Sequence, residues 1–136
     1  MIFVDTSFWV AARNKRDNNH REAALLLQGH AADTFLTTNH VRGETWTFLR
    51  KRLGHEEAVD FLDAVERSPR VRLVRVAEEL ENEALRWLRR HDERRYSFVD
   101  ATSFALMRSL KIRTAFAFDG EFSAAGFREL RGTDGP

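Results

Sequence analysis

Apolar residues recur along this chain at two spacings, and each spacing predicts a different element. Short runs such as "IFV" and "TAFAF" are almost continuously apolar, which is typical of strands buried on both faces. Longer stretches such as "AEELENEALRWLRRH" repeat apolar residues every three or four positions, which predicts amphipathic helices. The predicted strands cover residues 2–4, 33–38, 71–76, 114–118 and 127–130. The predicted helices cover residues 6–14, 20–28, 40–53, 56–67, 77–91 and 97–110.

The order of these elements predicts the fold class. Strands that alternate with helices form a parallel sheet, because a parallel connection needs a crossover segment. We therefore expect a three-layer α/β protein with a mostly parallel central sheet of four to five strands and helices on both faces. Asn39 is well placed to cap the helix that follows it, and Gly54 to end that helix. No repeat or linker interrupts the sequence, so we expect a single domain over residues 1–136, with residues 131–136 as a flexible tail.

Composition narrows the class of protein without indicating its function. The 136 residues are 43% hydrophobic and 32% charged, which is typical of a soluble globular protein. The 22 basic and 21 acidic residues leave a net charge of +1, which does not by itself indicate a nucleic-acid partner. Most basic residues are arginines, which suits phosphate binding but also follows from a GC-rich genome. The absence of cysteine excludes disulfides, zinc–thiolate sites and thiol nucleophiles, and without a membrane-length apolar run we expect a cytoplasmic protein.

Two aspartates follow predicted strands. Asp5 comes directly after the first strand, and Asp119 follows the apolar run "AFAF". The carboxyl ends of parallel strands meet at one edge of a sheet, where the sites of such folds lie, so both acids are expected at the same edge. Each also has a simpler interpretation. Asp5 could only cap the next helix, and Asp119 with Gly120 could form a turn that joins two strands.

Two further acids lie near the starts of predicted helices on an apolar background. Glu44 shares a helix face with Val41, Thr45 and Phe48, and Asp100 lies within "SFVDATS". Either could instead be exposed at a helix edge, paired with an arginine or placed to offset the helix dipole. Four carboxylates packed at one edge would repel one another and raise their pKa values unless cations neutralised them. Oxygen ligands without cysteine favour Mg²⁺ or Mn²⁺.

Four segments, taken in order, carry a resemblance to a known family. "FVDTSFW", "TTNHVRGETWTFLR", "YSFVDATSFALM" and "AFAFDGEFSAAGF" together resemble PIN-domain ribonucleases, specifically the VapC-type toxins of toxin–antitoxin pairs. The resemblance covers essentially the whole chain and implies a PIN-like fold. The family's acidic set falls on Asp5, Glu44, Asp100 and Asp119, and its supporting hydroxyl falls on Thr6 or Ser7. Many relatives carry a further Asp or a His after the fourth acid. Here Glu121 is the only extra acid, and we favour a solvent-facing position over a role in holding a second metal ion.

The resemblance implies a metal-dependent ribonuclease that holds one or two Mg²⁺ ions, with Mn²⁺ as the alternative. Asp5, Asp100 and Asp119 are expected to be the principal metal ligands, while Glu44 either binds the metal, also through water, or orients the attacking water. Attack by water on phosphorus would leave a 5′-phosphate and a 3′-hydroxyl, because the 2′-hydroxyl of the RNA takes no part. The resemblance also implies a cognate antitoxin, a homodimer and a toxin–antitoxin hetero-oligomer, with no membrane partner.

Binding of RNA requires cations, and the sequence offers several runs of them. The candidates are Arg13, Lys15, Arg16, Arg94 and Arg95, together with the runs 49–52 and 89–95 that hold further arginines. Such runs are also typical of solvated helix faces. Trp9 and Trp46 could stack bases, but their spacing favours the core. His40 lies one helical turn before Glu44, yet without an HExxH motif a zinc site is disfavoured.

Three other functions fit parts of the pattern. A PIN fold that only binds RNA or protein remains an alternative, although such a module has no need for all four acids. An aspartate-based phosphatase would need a second acid at position 7, which is Ser7. A response-regulator receiver would need paired acids after its first strand and an aspartate after its third, and neither is present. Cleavage of RNA that is lost with Asp5→Asn and in EDTA would separate the nuclease from these alternatives.

Overall fold

The computed structural model describes residues 1–132 and contains one wholly parallel sheet of five strands in the order β3-β2-β1-β4-β5. The strands are β1 (Ile2–Val4), β2 (Phe35–Thr38), β3 (Val71–Val74), β4 (Thr114–Phe116) and β5 (Arg128–Glu129). The helices are α1 (Thr6–Arg13), α2 (His20–Gly29), α3 (Asn39–Arg52), α4 (His55–Arg67), α5 (Glu78–Arg90), α6 (Phe98–Leu110) and α7 (Glu121–Ala124). The predicted α/β fold with a parallel central sheet is therefore confirmed.

Helices cover both faces of the sheet because successive strand residues point to opposite sides. Ile2 and Val4 of β1 belong to the apolar cluster formed with α1 and α2, whereas Phe3 between them belongs to the cluster formed with α5, α6 and α7. A third cluster joins α1 to α3 and α4. Trp9 contacts all three clusters, and its indole Nε1 donates to Thr37 Oγ1 at 3.4 Å. Its assignment to the core is right, and α1 is thereby fixed against β2.

The start of α3 differs from the prediction by one residue. Thr38, with extended backbone angles, is the N-cap, and its Oγ1 accepts from the backbone N–H of Val41 at 3.0 Å. Asn39 is therefore not the cap, because its backbone is already helical. Its side chain instead accepts from the N–H of Val76 at 2.9 Å, which ties the start of α3 to the segment after β3. Gly54 follows the end of α3 as predicted and adopts a φ of 99°.

The predicted tail is anchored where it begins. Arg131 Nη1 donates to the carbonyl oxygens of Ala117 and Leu130, both at 2.8 Å, and the N–H of Gly132 donates to the Glu22 carboxylate. Residues 131–132 are thus hydrogen-bonded to the rest of the domain. The flexible tail stays a prediction, and residues 133–136 lie outside the described chain. Within residues 1–132, no helix has both the length and the apolar character that a membrane span requires.

Candidate active site at the carboxyl edge of the sheet

Asp5 ends the central strand and begins α1. Its N–H donates to the Phe116 carbonyl of β4 at 3.1 Å, and its Oδ2 accepts from the N–H of Ser7 at 3.1 Å. The prediction of a helix cap is right. The residue is also only 2% exposed, which a cap does not require. Burial raises the pKa of the Asp5 carboxyl to about 8, and the charge of Asp119 adds to this effect while the Ser7 hydroxyl opposes it.

The Ser7 hydroxyl connects two acid-bearing segments. Ser7 Oγ donates to Asp5 Oδ2 at 2.8 Å and accepts from the N–H of Phe118 at 3.0 Å. Phe118 immediately precedes Asp119, so one side chain fixes both the first acid and the approach to the fourth. Of the two hydroxyls expected beside Asp5, Ser7 is the one that holds the carboxylate. Thr6 Oγ1 is buried and makes no hydrogen bond within the described residues.

Asp100 lies in the first turn of α6, where it completes a capping box. Its Oδ2 accepts from the N–H of Ser97 at 2.9 Å, and Ser97 Oγ accepts from the N–H of Asp100 at 2.9 Å. Because both bonds are made within one turn, the carboxylate has a fixed direction. Burial raises the pKa of Asp100 to about 6. The N–H of Ser97 opposes that shift, and the charges of Asp119 and Glu44 reinforce it.

Asp119 follows β4 in a turn that leads into α7. Its Oδ1 accepts from the N–H of Glu121 at 3.0 Å, and Gly120 adopts a φ of 81°, where a side chain would be strained. The turn enters a helix, and β5 runs parallel to β4, so the alternative of a hairpin at this Asp-Gly pair is wrong. Asp119 is exposed at the mouth of the site. Partial withdrawal of its carboxyl from water raises the pKa, and Glu129 and Glu121 add to the shift.

The four predicted acids line one cavity of about 470 Å³ at the carboxyl edge of the sheet. Thr6, Ser7, Glu121 and Arg95 of the predicted site residues also line it. Phe48 does so as well, although the sequence grouped it with Val41, Glu44 and Thr45 on one largely apolar helix face. Its side chain is 41% exposed, because the buried stripe of α3 runs through Val41, Thr45 and Leu49 instead.

Glu121 does not face solvent as expected. Its Oε1 accepts from Arg94 Nε at 3.0 Å and from Arg94 Nη2 at 2.7 Å, while its Oε2 is buried and has no hydrogen-bond partner in the described part of the chain. Arg94 is thereby engaged by a carboxylate rather than presented alone to a substrate. Arg13, Lys15 and Arg16 line a neighbouring cavity and do not reach the acids.

Two residues that the sequence did not identify stabilise the turn that follows Asp119. The buried Glu129 accepts from the N–H of Gly120 at 3.3 Å and from that of Ser123 at 2.9 Å. Arg131 Nη2 donates to Glu129 Oε1 at 3.0 Å, and the Arg131 guanidinium lies 4.9 Å from the centre of the Phe118 ring. The only sequence signal was a glutamate within a predicted strand, which does not reveal the turn that it holds.

The residues of the cavity fit a divalent cation chemically. The donors are carboxylate and hydroxyl oxygens, which magnesium and manganese prefer. Burial and the charges of neighbouring acids raise the pKa values of Asp5 and Asp100, and a bound cation would offset both effects. Among residues 1–132, however, no three His, Cys, Asp or Glu side chains already stand around a single ion position. Binding an ion therefore requires side-chain adjustment. His40 is not part of the cavity, since its Nε2 contacts Glu81 Oε2 at 3.0 Å.

Comparison with known proteins identifies the family to which this fold belongs. The family model of the PIN domain matches residues 2–128. The chain is 54% identical over 131 residues to the "23S rRNA-specific endonuclease VapC20" of two strains of Mycobacterium tuberculosis, CDC 1551 / Oshkosh and ATCC 25618 / H37Rv. Each alignment covers 96% of this chain and 98% of the relative. The crystal structure of Mycobacterium tuberculosis VapC20, titled a Sarcin-Ricin loop cleaving toxin, matches with a TM-score of 0.90 and 53% identity, covering 96% of this chain and 99% of that one.

Proposed function

Because this chain belongs to the PIN-domain family, we propose that it is a ribonuclease toxin that cuts RNA in the cavity lined by Asp5, Glu44, Asp100 and Asp119. One observation carries the proposal. Acids from the start of α1, from α3 and α6, and from the segment after β4 meet in one cavity, within a fold shared with a ribonuclease toxin over 96% of the chain. A module that only binds RNA has no use for carboxylates that repel one another in one cavity, two of them buried, because repulsion and burial cost stability.

The substrate we propose is the RNA of the large ribosomal subunit, at its sarcin–ricin loop. The relatives at 54% identity are named for 23S rRNA, and the solved relative is titled for cleavage of that loop. Identity of this degree over almost the whole chain supports a shared substrate. The same similarity supports a cognate antitoxin that neutralises the enzyme, and action on ribosomes would require a cytoplasmic location. A homodimer and a toxin–antitoxin hetero-oligomer stay predictions.

We propose one or two divalent ions, Mg²⁺ or Mn²⁺, held by Asp5, Asp100 and Asp119, with Glu44 binding directly or through water. Such an ion supplies positive charge that offsets the acids and the phosphate and makes water a stronger acid. Around it, Ser7 holds the first carboxylate and Ser97 the third by the hydrogen bonds described above. Glu121 lines the same cavity. Its Oε1 pairs with Arg94, and its buried Oε2 has no hydrogen-bond partner within the described residues.

The protein residues then have distinct tasks in hydrolysis. We assign to Glu44, which lines the cavity with Asp5, the task of orienting the attacking water and accepting its proton. Attack by water in line with the leaving 3′ oxygen yields a 5′-phosphate and a 3′-hydroxyl.

The test is cleavage of intact ribosomes by the purified protein in Mg²⁺ or Mn²⁺, with the new 5′ ends mapped. We expect one dominant cut in the large-subunit RNA that is lost in EDTA and with Asp5→Asn. Glu56→Gln, which removes an exposed acid from α4, serves as the matched control and should cut normally. Cleavage by Asp5→Asn at the wild-type rate, or undiminished activity in EDTA, would contradict the proposed mechanism.

A further inference from the structure

One face of α3 leads from the acids to a basic surface. Glu44, Phe48 and Arg52 are spaced by four residues, so their side chains lie one above another along the helix. All three line the acid cavity. The neighbouring stripe of the same helix is buried, so this face is the one that α3 turns towards the site. The stripe therefore presents an acid, an aromatic ring and a cation in sequence.

Phe48 and Arg52 form a unit at the rim of the cavity. The Arg52 guanidinium carbon lies 5.4 Å from the centre of the Phe48 ring, within the range of a cation–π contact. Phe48 is 41% exposed, whereas Phe8, Phe61 and Phe104 are fully buried. An exposed ring with a guanidinium beside it, at the edge of a phosphodiesterase cavity, is the combination that stacks a nucleobase and holds the adjacent phosphate.

The basic surface continues beyond Arg52. Arg52 also lines a second cavity of about 540 Å³ together with Arg13, Lys15 and Arg16. Glu57 is the one acid among the residues that line this second cavity, so the charge of the cavity wall is predominantly positive. We call the four cations the basic wall. A chain with a phosphate at every residue matches such a wall, and its affinity then depends on salt.

We propose that Phe48 stacks the nucleobase next to the cleaved bond and that the RNA strand leaves the acid cavity along α3 towards the basic wall. The inference rests on the proposed ribonuclease function and adds the path and a base-contacting residue. It assigns Phe48 to substrate selection, because only a base turned out of its helix can lie flat on the ring. The enzyme should accordingly prefer bonds in loops over bonds in paired stems.

The test measures binding rather than cleavage, in the Asp5→Asn background, with a short RNA hairpin that carries the mapped cut site. One base beside that site is replaced by 2-aminopurine, whose fluorescence is quenched by stacking. Phe48→Ala should weaken binding about tenfold and relieve the protein-dependent quenching, while Phe48→Tyr should retain both, because stacking needs only an aromatic face. Leu110→Ala, which trims another exposed apolar side chain, at the end of α6, should change neither.

A matched pair of substitutions tests the basic wall. Arg52→Ala should weaken RNA binding. It should also reduce the slope of the logarithm of affinity against the logarithm of salt concentration by about one, since one phosphate contact is lost. Arg50→Ala removes the same charge from the same turn of α3, but Arg50 does not line either cavity, so its slope should stay near that of the parent. Equal effects of the two substitutions would show that only net charge matters and would overturn the assigned path.

The outcomes separate this inference from the ribonuclease proposal. If Asp5→Asn abolishes cleavage but Phe48→Ala binds the hairpin normally and still quenches 2-aminopurine, the stacking role is wrong and the nuclease stands. If Phe48→Ala leaves RNA binding intact but weakens capture of the antitoxin, this face is a protein-binding surface and the inference is likewise overturned. Thermal unfolding of each variant identifies any loss that arises from misfolding, and Phe48→Tyr then decides the outcome.

Discussion

Asp5→Asn is predicted to make the metal-free protein more stable while abolishing its activity. Asn keeps the shape of the side chain and is as good a helix cap as Asp, so the bond from the N–H of Ser7 is retained. What the substitution removes is a negative charge in a residue that is 2% exposed. The capping role and the charge of the same side chain are thereby tested separately.

The magnitude follows from the pKa. In the folded protein the pKa of Asp5 is about 8, against an ordinary value of 3.8, so the folded state binds the proton more tightly than the unfolded state. Stability of the metal-free wild type therefore falls as pH rises between these two values, by at most ~1.4 kcal/mol per pH unit from this group. Between about pH 5 and pH 7.5 the upper limit is ~3 kcal/mol, a large part of a typical folding free energy.

The assay is urea unfolding in EDTA at both pH values for the wild type, Asp5→Asn and Asp5→Ala. The advantage of Asp5→Asn over the wild type should grow with pH, and Asp5→Ala should be less stable than Asp5→Asn by ~1 kcal/mol because it lacks the cap. The difference from the wild type reports the charge of Asp5 together with its repulsion of Asp100 and Asp119, because those two charges raise the pKa of Asp5. Added Mn²⁺ should stabilise the wild type and leave Asp5→Asn nearly unchanged. If the difference in unfolding free energy between Asp5→Asn and the wild type does not change with pH, the claim that burial of the Asp5 charge costs stability is refuted.

Three further substitutions test the support of the site. Ser7→Ala should lower the free energy of unfolding in urea by ~1–3 kcal/mol and reduce cleavage, because the Asp5 carboxylate and the N–H of Phe118 both lose a hydrogen-bond partner. Unchanged cleavage would exclude a positioning role for Ser7. Gly120→Ala should cost ~1–2 kcal/mol and slow cleavage because of its positive φ, whereas Gly29→Ala, in a site with open space, should be neutral on both measures. Glu129→Gln should shift the Mn²⁺ dependence of cleavage to higher concentration, with recovery at saturating metal; a lower rate at all metal concentrations would point to a different defect.

The sheet and the four acids were accessible from sequence because both depend on local patterns. A buried parallel strand is an apolar run, and an acid directly after such a run must lie at the carboxyl edge whatever the loops do. The strand positions were therefore found, although the observed strands are shorter. The cap of α3 was placed one residue late because Thr38 and Asn39 both have capping side chains, and only the backbone angles distinguish them.

The features that sequence did not reveal depend on contacts between distant residues. The pairing of Arg94 with Glu121 spans 27 positions, and nothing local to either residue indicates it. The helix α7 has four residues, too few to show a period. Phe48 was misplaced because two adjacent stripes of α3 are both partly apolar, and which one is buried is decided by α1, α4 and α6. The same ambiguity concealed the exposed surface that Phe48 and Arg52 form on α3.

The strand order determines at which stage of synthesis the chain can become active. The first segment to be synthesised, β1, occupies the middle of the sheet, but its neighbour β4 and the acid beyond it come near the opposite end of the sequence. Until that late segment arrives, Asp5 has no second strand beside it and no fourth carboxylate to work with. A nascent chain that ends before β4 therefore lacks a complete set of acids. Chains arrested before β4 should accordingly be protease-sensitive and leave RNA uncut.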